Sequence, residues 1–173
     1  MNYMQNGGFN RNPMMSTTLM LTMVFLIGFV VVNFLIFFSK MDLTPTSIAS
    51  YYLGNEEEFR PARSYQSMIE VTHTHLPMIA VVLLLLTHLV IFTPFSKAGK
   101  YIFIFTAFLS GLFNEASNYL IRFVDPLFAW LKIVAFLSLQ GSLVFLIAVI
   151  MIFMIQTKIE MKRELEEEFV EVQ

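Results

Sequence analysis

The sequence predicts an all-α fold: an integral membrane bundle of four helices, with a short amphipathic helix in the first extracytoplasmic loop and a helical extension of the fourth helix into the cytoplasm. Three observations carry this reading. Of 173 residues, 57% are hydrophobic and only 14% are charged, where a soluble domain carries about a quarter charged residues. The 19 Phe and 12 Met add apolar bulk with no polar surface to balance it, and the mean hydropathy is +0.68. Four segments, at about 17–38, 68–93, 101–122 and 127–155, have the ~20 residues that a helix needs to cross a hydrocarbon core of about 30 Å.

Each element follows from local chemistry. Residues 1–16 have the Asn and Gly content of a polar N-terminal arm, and residues 17–38 then carry no charge. That run exceeds the ~7–15 residues of a signal-peptide core, and "FFSKMD" offers no small-residue cleavage site, so it reads as a retained spanning helix. In the extracytoplasmic loop, residues 40–67, "TPTSIASYYLG" holds a short helix: Thr44 caps it, Pro45 starts it and Gly54 ends it. Ile48, Tyr51 and Tyr52 give it an apolar face suited to a membrane surface. "PFSKAGK" is a short connection between antiparallel neighbours. In "VDPL", Asp125 caps and Pro126 opens the fourth helix. Residues 156–173 form a charged C-terminal helix that continues the fourth span into water.

Lys and Arg near the ends of spans set orientation. Arg11, Lys97, Lys100, Lys158, Lys162 and Arg163 fall on one side, and Lys40, Arg60, Arg63 and Arg122 on the other. The excess places both termini in the cytoplasm.

Net charge is −2, which points away from nucleic acid, and there is no Cys. The chain therefore supplies no thiolate metal ligand, no iron–sulfur ligation and no covalent haem attachment. It carries no nucleophile–base pair, no Gly-rich phosphate loop and no soluble catalytic domain, so nothing in it points to catalysis by this chain alone.

Ionisable and amide side chains inside apolar spans are the candidate functional residues, because such groups are rare in a bilayer and face a bundle interior or cavity. Asn33, Asn114, Glu115, Asn118 and Arg122, with Lys132 at the start of the fourth helix, fall toward the outer surface. Glu115 and Arg122 read as a buried pair. His88 and Gln140 fall at a second level, ~20 Å further in by helical rise. The candidate polar network is Asn33, Asn114, Glu115, Asn118, Arg122 and Gln140.

All 3 histidines lie on the second span. Glu70 and His73 share a helical face at i,i+3, but His73 and His75 are ~200° apart and cannot serve one site from a regular helix. Pro77, whose ring opposes the carbonyl of His73, is expected to start or kink the helix and let both imidazoles converge. One helix with histidines at two levels resembles b-type cytochromes, in spacing logic alone; two bis-His haems need four histidines.

Beyond spacing, "SIASYYLGNEEEF", "SYQSMIEVTHTHLPM" and "LLLLTHLV" resemble a pattern in a group of bacterial four-helix inner-membrane proteins. There a Y-x-G-N-E loop precedes an E-x-T-H-x-H-L helix start and a second His follows on that helix. The resemblance covers roughly residues 44–92. It implies a bacterial inner membrane and a role for Glu70, His73, His75 and His88, and it implies no reaction.

Three functions fit these residues. In the first the chain is a subunit of a larger electron-transfer complex, with His73, His75 and His88 holding a haem b or lining a quinone pocket, or with Glu70, His73 and His75 binding a metal ion. In the second it is an accessory or scaffold subunit without a cofactor. In the third it conducts protons or ions through the histidines, Glu115 and Arg122. Its partners are the lipid bilayer and either other membrane or soluble subunits or further copies of itself. The four-span topology predicts that reporter fusions after residue 173 and within residues 55–62 report opposite sides of the membrane; reports from one side refute it.

Overall fold

The structure, a computed structural model, describes residues 13–57, 59–91, 93 and 95–171. Most of the expected N-terminal arm, residues 1–12, lies outside these, as do 172 and 173 at the other end. Among the described residues there are five α-helices: α1 (Pro13–Lys40), α2 (Pro45–Leu53), α3 (Tyr65–Val90), α4 (Lys97–Phe123) and α5 (Ala129–Glu171), with a 3₁₀ turn, Pro126–Phe128, ahead of the last. No strand forms among them; one antiparallel bridge pairs Asn55 with Arg60.

Helix α1 opens at Pro13, ahead of the apolar run, because proline's fixed φ and missing N–H suit a first helical turn. The loop helix α2 has the expected ends: Thr44 Oγ1 accepts from Ser47 N, and Gly54 closes the helix at φ 88°. Its apolar face does not lie on a membrane surface. Ile48 and Tyr52 are buried among Phe37, Met68, Ile121 and Phe136, so α2 is a cap packed on one end of the bundle. Asp125 Oδ1 accepts from Leu127 N at 2.7 Å, which starts the chain into α5.

One further expectation is corrected. Pro77 lies within α3, which continues from Tyr65 to Val90 without starting or stopping there. The helix around it satisfies its other backbone groups, and the one freed carbonyl does not break it. Among the described residues, three helices are long and apolar enough to cross a membrane, in Met14–Lys40, Tyr65–Val90 and Pro126–Glu160. The third expected span, α4, is long enough but less apolar, because Asn114, Glu115, Ser117 and Asn118 occupy its inner face. Its outer face is Ile102, Phe105, Leu109, Leu112 and Phe113, all exposed. This polarity, apolar outward and polar inward, is the reverse of a soluble helix.

Helix α5 is the axis of the bundle. Of its spanning stretch 61% is buried, against 17% in α1 and 11% in α3, and it packs on each of the other long helices. At Gly111 a Cβ would lie 3.2 Å from Ile79 Cγ2, so glycine lets α3 and α4 approach closely.

The core has two apolar clusters. One holds Leu26, Val30, Leu83, Leu86, Ala107, Leu139, Leu143 and Leu146. The other, beneath α2, holds Phe37, Ile48, Tyr52, Ile121, Ile133 and Phe136. Helices α1, α3 and α4 each place their polar residues between the two. Asn33 falls between Val30 and Phe37, His75 between Met68 and Leu83, and Glu115 between Ala107 and Ile121.

The cap depends on one backbone conformation. A Cβ at Gly54 would meet Ala62 N and Arg60 O at 2.7 Å, and its φ is one that side chains rarely adopt. Gly54→Ala should lower stability by about 1–3 kcal/mol, whereas Gly28→Ala, with nothing within 4 Å, should be neutral or stabilising. Thermal unfolding in detergent measures both, and equal midpoints would refute the strain.

Candidate functional site

Between the two apolar clusters the helices line a partly open cavity of about 240 Å³. Five of the six predicted network residues line it: Asn33 from α1, Asn114, Glu115 and Asn118 from α4, and Gln140 from α5. His75 from α3 and Lys132 from α5 join them, and Phe29, Phe37, Phe136 and Tyr51 supply aromatic wall.

Glu115 is the hub. It is 4% exposed, and His75 Nδ1 approaches its Oε1 at 3.5 Å. Its Oε2 accepts from Thr72 Oγ1 at 3.5 Å and from Asn118 Nδ2 at 3.4 Å. The network then spreads across helices. Tyr119 donates to Thr72 Oγ1 at 3.0 Å. The Tyr52 hydroxyl on the capping helix donates to Asn118 Oδ1 at 2.6 Å. Burial first, with Tyr51 and Glu115 adding to it, pushes the Tyr52 phenol above its ordinary range, so it remains a protonated donor. Lys132 is buried, and its Nζ donates to the main-chain oxygen of Asn114 at 2.9 Å. It sits in the cavity wall with Glu115, so the buried carboxylate and the buried ammonium share one low-dielectric space.

Two oxygens in the cavity lining have no partner. Asn114 Oδ1 and Gln140 Oε1 are buried and accept no hydrogen bond from the protein. Their residues are 8% and 3% exposed and both line the cavity.

Several predicted residues lie elsewhere. Glu70 and His73 are exposed, and Glu70 Oε1 accepts from Gln66 at 3.2 Å. Because α3 is continuous through Pro77, His73 and His75 keep their ~200° separation and do not converge. Among the described residues no three His, Asp or Glu side chains gather as a metal site would require, so Glu70, His73 and His75 do not form the expected set. His88 is exposed and lies outside the cavity walls, apart from Gln140. Arg122 does not pair with Glu115. Its Nε donates to Arg63 O at 2.9 Å, tying α4 to the loop, and Arg63 in turn stacks over Tyr51 at 4.3 Å.

A transmembrane helical domain family, Aq_1264_TM, has a sequence model that matches residues 42–162. The chain belongs to this family. The domain takes in α2 to α4 and the spanning part of α5, and with them every cavity residue named above except Asn33, Phe29 and Phe37 of α1. No curated protein and no solved structure matches the chain. The family and the apolar helices together make the protein a helical membrane protein in contact with lipid.

Sequence reading placed Lys132 at the outer level without joining it to the network, and it missed three other contributors. Lys132 had a signal, a lysine just inside an apolar span, but not its partner. Tyr52 had only its place on the apolar face of α2. Thr72 and Tyr119 had none, since their contacts join different helices.

Glu115→Leu would strip Thr72, Asn118 and His75 of one acceptor and leave Lys132 without a neighbouring carboxylate. A buried hydrogen-bonded charge contributes about 1.5–3 kcal/mol per bond, so this variant should unfold well below the parent. Glu57→Leu, on an exposed turn, should unfold with it. Matching midpoints would show that Glu115 faces water.

Proposed function

We propose that the chain is a membrane subunit of a larger electron-transfer complex in a bacterial inner membrane, and that its cavity holds the ring of a quinone or quinol. One observation carries the reading: two buried amide oxygens without partners open on a small, aromatic-walled cavity. A buried polar atom left unmet costs about 1–3 kcal/mol, and in native structures such atoms mark ordered water or a ligand. The cavity is smaller than the ~300–1,000 Å³ of sites for drug-sized molecules, so a single substituted ring is the size of guest it suits, with its tail directed toward lipid. His75, half exposed and beside Glu115, gives such a ring a proton acceptor with access to the outside.

A haem b is less well served. His75 is the histidine that reaches the cavity, so a second axial ligand would have to come from Met78, which also lines it, or from a partner subunit. A second reading, a proton path, draws on the run from Tyr119 through Thr72 and Glu115 to His75. It needs no guest and is compatible with the first.

The four-span topology with cytoplasmic termini belongs to the same proposal. Helix α4 has 27 residues, about 40 Å at the usual rise, and its outward face is apolar. Helix α5 continues from the end of its span at Glu160 to Glu171, and this charged stretch is a handle for a soluble partner.

Titration of the purified chain with a short-tailed benzoquinone and its quinol should show saturable binding near one equivalent. Asn33→Phe, which places a ring into the cavity from α1, should abolish it. A Soret band in the purified protein would replace the quinone reading with haem, and absence of any saturable binding would leave an accessory subunit without a cofactor.

A further inference from the structure

The cavity is closed on one side and open on another. Its back wall is built by α4 and α5, where Asn114, Glu115, Asn118, Lys132, Phe136 and Gln140 are none of them more than 8% exposed. Its opposite edges are Val32 and Ile36 of α1 and Val71 and Met78 of α3. These four line the cavity and yet are 40% to 48% exposed. A side chain that lines a cavity and also faces outward stands at its mouth.

Helix packing places the mouth here. Helix α1 packs along α5, and its backbone scarcely approaches that of α3. On one side of the gap both helices contribute to a common cluster, Leu26 and Val30 with Leu83 and Leu86. On the other side Tyr51 and Tyr52 of α2 roof the cavity. Val71 and Met78 lie ~9 and ~20 Å along α3 by helical rise, a depth inside the ~30 Å hydrocarbon core that a helix of this length crosses. All four residues at the mouth are apolar, so it opens on lipid tails. The way past Lys40 and Tyr51, beside α2, leads instead toward water. The family match begins at residue 42, after α1. The matched domain therefore supplies the back of the cavity and one post of the mouth, and α1 supplies the other post.

Resting on the quinone reading above, we infer that the ring enters and leaves sideways from within the bilayer, through a portal between α1 and α3, and that its tail stays in lipid while the ring is bound. A guest that took the route through water would first have to leave the bilayer, at about 0.8 kcal/mol for each CH₂ of its tail. Through the portal that cost does not arise, because the tail has the same surroundings before and after binding. Affinity referred to concentration in the bilayer is then independent of tail length. A cavity of about 240 Å³ has no room for a long tail, so a guest that had to be enclosed would bind worse as its tail grew. The portal has a kinetic consequence as well. A larger side chain at either post must be pushed aside on the way in and on the way out, so both rates fall and their ratio is kept.

The test uses the full chain in phospholipid vesicles, with labelled benzoquinones carrying a short or a long alkyl tail. Referred to the bilayer, the two should bind with nearly equal affinity. Val32→Phe and Val71→Phe should slow association and dissociation together by about tenfold, the order expected when extra bulk must be displaced at the barrier, and should leave affinity nearly unchanged. Leu35→Phe on α1 and Val81→Phe on α3, both exposed and outside the cavity, should change neither rate. Unaltered rates in both portal variants, or loss of binding with the long tail, overturn the portal and leave the site standing. A change in affinity carried by dissociation alone makes Val32 and Val71 parts of the wall and also overturns the portal. Failure of the parent chain to bind either quinone overturns the quinone reading and the portal together. If the portal variants fail to fold, the parent chain's comparison of tails decides.

Discussion

A buried carboxylate in a bundle surrounded by lipid is the constraint from which the other features follow. Glu115 has no bulk water to solvate it, and an isolated ion in such a place is costly enough that the protein must supply partners or a proton. The partners come from every side. His75 and Thr72 are provided by α3, Asn118 by the next turn of α4, and Lys132 shares the cavity from α5. Between helices in lipid there is little hydrophobic force to hold them together, since the tails are as apolar as the side chains. A shared polar network therefore does two jobs: it satisfies the ion, and it fixes which helix faces meet.

The network also explains the capping helix. Helix α2 buries Ile48 and Tyr52, and the Tyr52 hydroxyl reaches Asn118 in the polar layer. That contact is possible only because the loop returns tightly. Gly54 ends the helix at a positive φ, with the 60–62 backbone too close for a side chain, and Arg63 N donates to Tyr52 O at 3.0 Å. Arg122 and Arg63 then lock the returning strand of the loop to α4 and to Tyr51. A residue that reads as half of an intramembrane ion pair is thus a fastener between α4 and the loop.

Within this frame the cavity is a place where satisfaction was left incomplete. Glu115, Asn118, Tyr52 and Lys132 around it are paired, at distances from 2.6 to 3.5 Å, while two buried amide oxygens are not. Close-packed interiors rarely leave such atoms, and Phe29, Phe37, Phe136 and Tyr51 wall the space beside them.

How much of this was legible beforehand differs by scale. Composition and apolar run length determine that the chain is a helical membrane protein, because lipid forces backbone groups to pair within a segment. Caps and turns are local as well, so Thr44, Pro45, Gly54, Asp125 and Pro126 announced their elements directly. The polar residues of the candidate site were also visible, since a Glu, Asn or Gln in an apolar helix stands out against its neighbours. What no one-dimensional reading determines is rotation and partner. Whether Pro77 interrupts α3 depends on the surroundings of one freed carbonyl. Whether His88 faces Gln140 or turns outward, and whether Glu115 meets Arg122 or His75, depends on how each helix is turned about its own axis. That angle is set by side-chain packing and hydrogen bonds between helices far apart in sequence, and only the tertiary structure decided it.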